Sequence, residues 1–146
     1  MELGFLPGDM IDKVAGQIGP LIDLVGIDHI NQMIALEQLE VVPMAMMRGR
    51  SFNNSLIIVN EAQNLTEDHI KLLLGRVGEN SRILFDYDYK QSDSNLFRNK
   101  SGVKMLLNLS ESPVYSKMFA AVKLNTTVRS KTACAADYLD NLCGNI

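Results

Sequence analysis

The sequence has few of the features that would place a protein outside the cell or in a membrane. Its cysteines are Cys134 and Cys143, which form neither a CxxC pair nor a metal-ligand spacing with a histidine. We therefore expect reduced thiols in a cytoplasmic protein. No apolar run approaches the roughly 18 residues of a membrane span, and no basic segment precedes a signal-like apolar core.

The sequence also lacks an excess of basic charge and a phosphate-binding loop. Its 14 basic and 17 acidic residues give a formal net charge of −3, which provides no general attraction for nucleic acid. A phosphate-binding loop needs glycines followed by Lys-Ser or Lys-Thr, and these 146 residues contain no GxxxxGK[ST] pattern. Lysine precedes Ser or Thr at Lys100 and Lys131, and neither lies in a glycine-rich turn after a strand.

The residues that are present alternate between helical and strand-like patterns. At 146 residues, 47% of them hydrophobic, the chain suits one compact domain over residues 1–146. The apolar spacing predicts helices at Met10–Val25 (kinked at Gly19-Pro20), Asp28–Gln38, Thr66–Val77, Val103–Leu109, Val114–Phe119 and Lys131–Leu142. Short apolar runs predict strands at Leu39–Val42, Leu56–Val59, Ile83–Phe85 and Ala121–Leu124. This alternation predicts an α/β fold, a three-layer sandwich with a mostly parallel sheet.

The most informative segment is SLIIVNEAQN, from Ser55 to Asn64. Its unbroken apolar run is typical of a strand buried on both faces of a parallel sheet. Asn60 and Glu61 follow that strand, at the carboxyl edge where open α/β folds bind their ligands. In nucleotide hydrolases one acid at this edge holds Mg²⁺ and the next orients the attacking water. The alternative is that Asn60 and Glu61 only cap the turn into the next helix.

The wider pattern resembles the PhoH family, ATPases related to superfamily-one helicases. GFLPGD at Gly4–Asp9 is similar to the family segment that follows its first nucleotide-binding strand. Pro43–Asn64 resembles the family's P-x-x-x-M-R-G-R loop and its Walker B strand. FDYDYKQSD at Phe85–Asp93 resembles the sensor segment TGDxxQxD, and VKLNTTVRS at Val122–Ser130 resembles the strand and arginine that complete a helicase-type site. The resemblance implies a partial P-loop NTPase core of the RecA-like type.

The resemblance also implies roles for particular residues, with ATP and Mg²⁺ as ligands. Glu61 would position the water, Gln91 would sense the γ-phosphate and Arg129 would place positive charge on it. Asn60 would face the metal, weakly and through water, because a neutral amide replaces the usual carboxylate; Asp86 could compensate from the neighbouring strand. The remaining candidates for nucleotide binding are Gln63, Asp88, Arg48 and Arg50. Arg48 and Arg50 could instead reach nucleic acid, pair with carboxylates across a subunit boundary, or belong to a solvated loop.

Two functions remain open at this point. The chain could be part of a PhoH-like ATPase whose phosphate loop lies before Met1, in which case we expect the chain alone to be inactive. It could instead be a degenerate binding module that associates with RNA, with single-stranded nucleic acid or with full-length relatives. Retention of Glu61, Gln91 and Arg129 favours the first function, and Asn60 favours the second. Family members form rings, so the resemblance also implies a homo-oligomer, or association with the missing N-terminal segment or with relatives.

Overall fold

A computed structural model describes residues 18–88 and 101–124, together with Val128, Ser130, Thr132 and Ala135. The chain divides into two compact units, Met1–Leu106 and Leu107–Ile146. In the described residues, the α-helices are α1 (Ile27–Ala35), α2 (Glu67–Leu74) and α3 (Gly102–Glu111), and the strands are β1 (Leu56–Val59) and β2 (Arg82–Phe85). Residues 18–25 are also helical. Within these described segments no helix has both the length and the apolar character needed to cross a bilayer.

The two strands form a parallel pair. Leu56 lies opposite Arg82 and Val59 lies opposite Phe85. Parallel strands need a crossover connection, and α2 lies within the segment that joins β1 to β2. The predicted α/β class and parallel pairing are confirmed, while the single domain over residues 1–146 stays a prediction.

The burial of the sheet differs from the prediction. Leu56 and Ile58 in β1 are 67% and 63% exposed, and Leu84 in β2 is 56% exposed, whereas the alternate residues are partly buried. Successive side chains in a strand point to opposite faces, so this alternation describes a sheet with one covered face. The expectation that β1 is buried on both faces is therefore wrong for the structure of this chain.

Two predicted strands are also absent. Residues 39–42 and 121–124 have no strand assignment, although both are rich in apolar residues. A strand needs a neighbour that pairs its N–H and C=O groups, and apolar composition alone supplies none. The predicted helix at Val114–Phe119 is a series of hydrogen-bonded turns, with Ser116 N–H donating to the Ser112 carbonyl at 2.8 Å.

The break between the first two helical segments lies where it was predicted, between Val25 and Asp28. Residues 18–25 are helical through Gly19 and Pro20, and the interruption comes at Gly26, whose φ is 84°. That left-handed backbone favours glycine because glycine has no Cβ. Gly26 is therefore the N-cap of α1, and Asp28 lies in the first turn, where a negative charge is favourable beside the helix N-terminus.

The core of the first unit draws on residues from several elements of the described chain. Its buried apolar side chains are Ile30, Met47, Ala62, Ile70, Leu73 and Val103. At the start of α3, Gly102 N–H donates to the Leu65 carbonyl at 3.0 Å, and Ser101 forms an antiparallel bridge with Thr66. The beginning of α3 is thus fixed against the residues that follow the candidate site.

The N-terminus of α2 carries a capping box. The Thr66 hydroxyl accepts from His69 N–H at 3.5 Å, and Thr66 N–H donates to His69 Nδ1 at 3.3 Å. Glutamate or glutamine usually supplies the second of these contacts, and here a histidine does so. His69 therefore has a capping role.

We expect Thr66→Ala to lower the free energy of unfolding by about 1 kcal/mol, because the N-terminal N–H groups of α2 lose an acceptor. Urea unfolding at neutral pH measures the change. Thr66→Ser, which keeps a hydroxyl, should retain most of the stability. Equal unfolding midpoints for the Ala and Ser variants would show that the cap contributes nothing.

Candidate nucleotide site

The end of β1 turns sharply at Glu61. Val59 ends the strand, Asn60 follows, and Glu61 has φ 55° and ψ 39°, in the left-handed region. For a residue with a Cβ this conformation costs roughly 1–2 kcal/mol, and such strain is concentrated at functional sites. The turn leaves both Asn60 and Glu61 exposed at the carboxyl edge of the sheet, which is where the sequence placed them.

Backbone hydrogen bonds hold this turn against the end of β2. Asp86 N–H donates to the Val59 carbonyl at 2.9 Å, and Ala62 N–H donates to the Asp86 carbonyl at 2.9 Å. Ala62 is fully buried and begins a short 3-10 turn, Ala62–Asn64. These two hydrogen bonds therefore fix the residues after β1 relative to those after β2.

The Gln63 side chain adds a second connection between the same two segments. It is 4% exposed. Its Nε2 donates a short hydrogen bond to Glu61 Oε2, and its Oε1 accepts from the Asp88 N–H at 3.1 Å. Both polar ends of the amide are thus used within the chain. Sequence reasoning treated Gln63 as a nucleotide contact and missed this inward orientation.

The acidic side chains at this edge bear on whether Mg²⁺ fits here. Glu61, Asp86 and Asp88 are exposed near the strand ends, but no group of three or more His, Cys, Asp or Glu residues in the described part of the chain could hold a metal ion. Mg²⁺ commonly uses one or two carboxylates, with phosphate and water oxygens completing its octahedron. The donors present therefore fit a magnesium ion that is bound together with phosphates, and Mg²⁺ binding by this chain stays a prediction.

Comparisons with known proteins identify the family of this chain. Residues 1–137 match the family described as PhoH-like protein. The chain belongs to the PhoH-like family. It is 38% identical to the PhoH-like protein of Bacillus subtilis over 96 residues, which are 63% of this chain and 30% of that protein. It is also 38% identical to the protein PhoH of Escherichia coli K12 over 98 residues, covering 63% of this chain and 28% of that protein.

A further match covers a larger share of the chain. The chain is 32% identical to the protein PhoH2 of Thermobispora bispora over 137 residues, which are 90% of this chain and 30% of that protein. The chain thus spans less than a third of the length of these PhoH-like relatives. For this chain, the activity of a whole PhoH-like protein is therefore only proposed.

The arginines of the PhoH-like loop have different environments. Met44–Met46 forms a 3-10 turn, Met47 is buried, and Arg48 is exposed. Arg50 donates from Nη1 and Nη2 to the two carboxylate oxygens of Glu40 at 2.8 and 2.7 Å. Its guanidinium also lies 4.7 Å from the centre of the Phe52 ring, within the range of a cation–π contact.

Arg50 was predicted to bind nucleotide or nucleic acid, to pair with a carboxylate of another subunit, or to lie in a solvated loop. The structure shows it paired with a carboxylate of the same chain. No sequence pattern indicated Glu40 as the partner, because it lies ten residues before Arg50 and outside the loop motif that contains Arg50. Arg48 retains its predicted phosphate-binding role as a prediction. Gln91 and Arg129 lie outside the described residues, so their convergence on Glu61 also stays a prediction.

The Arg50 contact makes stability depend on pH. The hydrogen bonds from Arg50 lower the pKa of the Glu40 carboxyl below its ordinary value. A lowered folded-state pKa contributes stability above the ordinary pKa and loses it as the pH falls through the folded value. Because both side chains are well exposed, the effect should be smaller than that of Thr66→Ala.

We therefore expect the free energy of unfolding to fall less in Glu40→Gln than in the wild type when the pH is lowered from neutral to about pH 3. That final pH lies below ordinary glutamate pKa values. Urea midpoints across this pH range measure the difference. Arg50→Gln should flatten the profile in the same way, and the double variant should add little. A Glu40→Gln profile that parallels the wild type would contradict the assignment.

Proposed function

We propose that the chain forms the metal-and-water side of a nucleotide site in a PhoH-like ATPase core. The observation that carries this proposal is the placement of Glu61: an exposed carboxylate in a left-handed turn after a parallel strand, hydrogen-bonded by Gln63. Ligands of open α/β folds bind at this edge. A carboxylate at this edge that turns towards the nucleotide accepts a hydrogen bond from water and orients it towards a γ-phosphate.

The other side chains of the site have complementary roles in this proposal. Asn60 faces the metal-bound phosphates, and the family pattern assigns γ-phosphate contacts to Gln91 and Arg129. Asp88 and Arg48 lie on segments that the pattern also places beside the nucleotide. Bound Mg²⁺ would neutralise part of the negative charge on the phosphates. A phosphate-binding loop has to come from a segment other than these 146 residues, because they contain no GxxxxGK[ST] pattern.

We expect the 146-residue chain alone to release phosphate from ATP no faster than its Glu61→Gln variant. For a positive control, the 146-residue chain is fused to the segment that precedes the matched region in the Bacillus subtilis relative. The fusion should hydrolyse ATP, and Glu61→Gln should lower its kcat by about 100-fold or more, as for loss of a group that handles a proton. Two results would refute the proposal. One is phosphate release by the chain alone well above that of its Glu61→Gln variant, and the other is an active fusion whose kcat does not change in Glu61→Gln.

A second candidate is an interaction module without hydrolysis. It is favoured by Asn60, which replaces the metal-binding acid, and by the exposed apolar side chains of Leu56, Ile58 and Leu84 on one sheet face. Such a module would associate with full-length relatives, with a second copy of itself, or with RNA through Arg48. Sedimentation with and without single-stranded RNA or a relative tests this function. Association together with an inactive fusion would favour it over the ATPase core.

A further inference from the structure

Gln63 is the one side chain seen, in the described residues, to bond both the candidate water-positioning carboxylate and the backbone after β2. The two contacts leave from opposite ends of one amide: Nε2 to Glu61 Oε2 and Oε1 to the Asp88 N–H. Since the side chain is 4% exposed, water cannot readily replace either partner. A buried amide that loses one partner has to find another or remain unsatisfied.

The chemistry of this position requires an amide. An ionised glutamate accepts hydrogen bonds and donates none, whereas an amide donates from its NH₂ group and accepts at its oxygen. The carboxylate of Glu61 needs a donor and the N–H of Asp88 needs an acceptor. A glutamine satisfies both at once, and an apolar residue of similar length satisfies neither.

The surrounding backbone is held independently of Gln63. The Asp86 N–H and the Ala62 N–H make the two backbone hydrogen bonds that join the strand ends. These contacts fix residues 59, 62 and 86 whatever the Glu61 carboxylate does. Rotation of Glu61 would withdraw the acceptor from Gln63 Nε2. The Gln63 amide is therefore the contact that depends on the orientation of that carboxylate.

We propose that Gln63 is a positioning residue that couples the orientation of the Glu61 carboxylate to the backbone at Asp88. When Glu61 turns towards a water or a phosphate, Nε2 loses its partner, the amide reorients, and the bond from Oε1 to the Asp88 N–H loosens. Asp88 precedes Gln91, the predicted γ-phosphate sensor, by three residues in the sequence. The catalytic meaning of this coupling rests on the proposed function; the coupling itself does not require nucleotide.

Hydrogen exchange of the Asp88 amide, measured by NMR on the full 146-residue chain without nucleotide, tests the coupling. Glu61→Ala should speed exchange of that amide by about threefold or more, since coupled contacts of this kind interact measurably. Glu61→Gln should leave it near the wild-type rate, because its amide oxygen still accepts from Nε2. In a Gln63→Leu background, where the Asp88 N–H no longer has the Gln63 acceptor, Glu61→Ala should add nothing.

The Asp86 amide serves as the internal control, since it bonds the Val59 carbonyl and not Gln63. It should keep its exchange rate in all these variants.

Three outcomes would overturn the coupling. These are unchanged Asp88 exchange in Glu61→Ala, an equal effect of Glu61→Ala in the Gln63→Leu background, and parallel acceleration of the Asp86 amide. The last would show a general loosening of the turn. Because no step of this measurement uses ATP, the coupling can hold even if the fusion experiment finds no hydrolysis, and it can fail in an active enzyme.

Discussion

Gly102→Ala should destabilise the protein by about 1–3 kcal/mol, the range for overfilling a packed site. A Cβ on Gly102 would lie 2.4 Å from Ile70 Cγ1 and 2.8 Å from the Thr66 carbonyl oxygen. The Ile70 side chain is fully buried and has little room to withdraw. The carbonyl belongs to the N-cap of α2, so the backbone itself would have to move. Urea unfolding measures the loss, which is a large part of the roughly 5–15 kcal/mol that stabilises a typical domain.

Gly19→Ala is the matched control for this substitution. Gly19 also lies in a helical segment, and a Cβ there would meet nothing within 4 Å. We expect a small stabilisation, up to about 1 kcal/mol, because alanine loses less backbone entropy in a helix than glycine does. If both alanine variants moved the unfolding midpoint in the same direction, the contact of α3 with the start of α2 would not be tightly packed.

The parts of the fold predicted correctly are those that local sequence determines. Strand β1 is a run of four aliphatic residues, and its chain neighbours Ser55 and Asn60 are polar. Helix α2 begins at a threonine followed by two acidic residues, a signal that depends on backbone N–H groups within one turn. These cues act over a few residues: β1 has its expected bounds, and α2 begins within one residue of its expected start but ends three residues earlier than predicted, at Leu74.

The errors fall where distant parts of the chain decide the outcome. Leu39–Val42 and β1 have similar apolar content, but β1 has β2 as a hydrogen-bonding neighbour and residues 39–42 have none assigned. Likewise, nothing local distinguishes Ile58, which is exposed, from Ile57, which is partly buried. Pairing and layer coverage depend on the arrangement of the whole chain and cannot be read from one segment.

The candidate site shows the same division. Asn60 and Glu61 could be placed because a strand that ends in polar residues delivers them to the carboxyl edge. The inward turn of Gln63 depends on the left-handed backbone at Glu61 and on the distance to Asp88, which are tertiary features. The pairing of Arg50 with Glu40 depends on how the loop folds back over ten residues. A motif identifies which residues belong to a site more readily than which atoms they contact.

Asn60→Asp should strengthen divalent-cation binding at the carboxyl edge by about tenfold or more. The change replaces a neutral amide with a carboxylate, the oxygen donor that Mg²⁺ favours, and the number of charged ligands strongly tunes affinity for hard cations. Asn60 is exposed and directly precedes Glu61, so the new charge would join an existing carboxylate without being buried. Mn²⁺, which also prefers oxygen ligands, can report binding through the broadening of NMR signals from residues 60–62 and 86–88.

Asn80→Asp provides the same change of charge at the opposite edge of the sheet. Asn80 is exposed and lies just before β2 begins at Arg82, whereas Asn60 lies just after β1 ends. If added negative charge alone attracted the cation, both variants would bind Mn²⁺ more tightly and would broaden signals near their own positions. If Asn60 occupies the metal-facing position of a nucleotide site, Asn60→Asp should gain affinity and Asn80→Asp should not. Equal Mn²⁺ affinities in the wild type and in Asn60→Asp would instead mean that this edge is not shaped for a metal. Asn60 would then not stand in the place of a metal-binding acid.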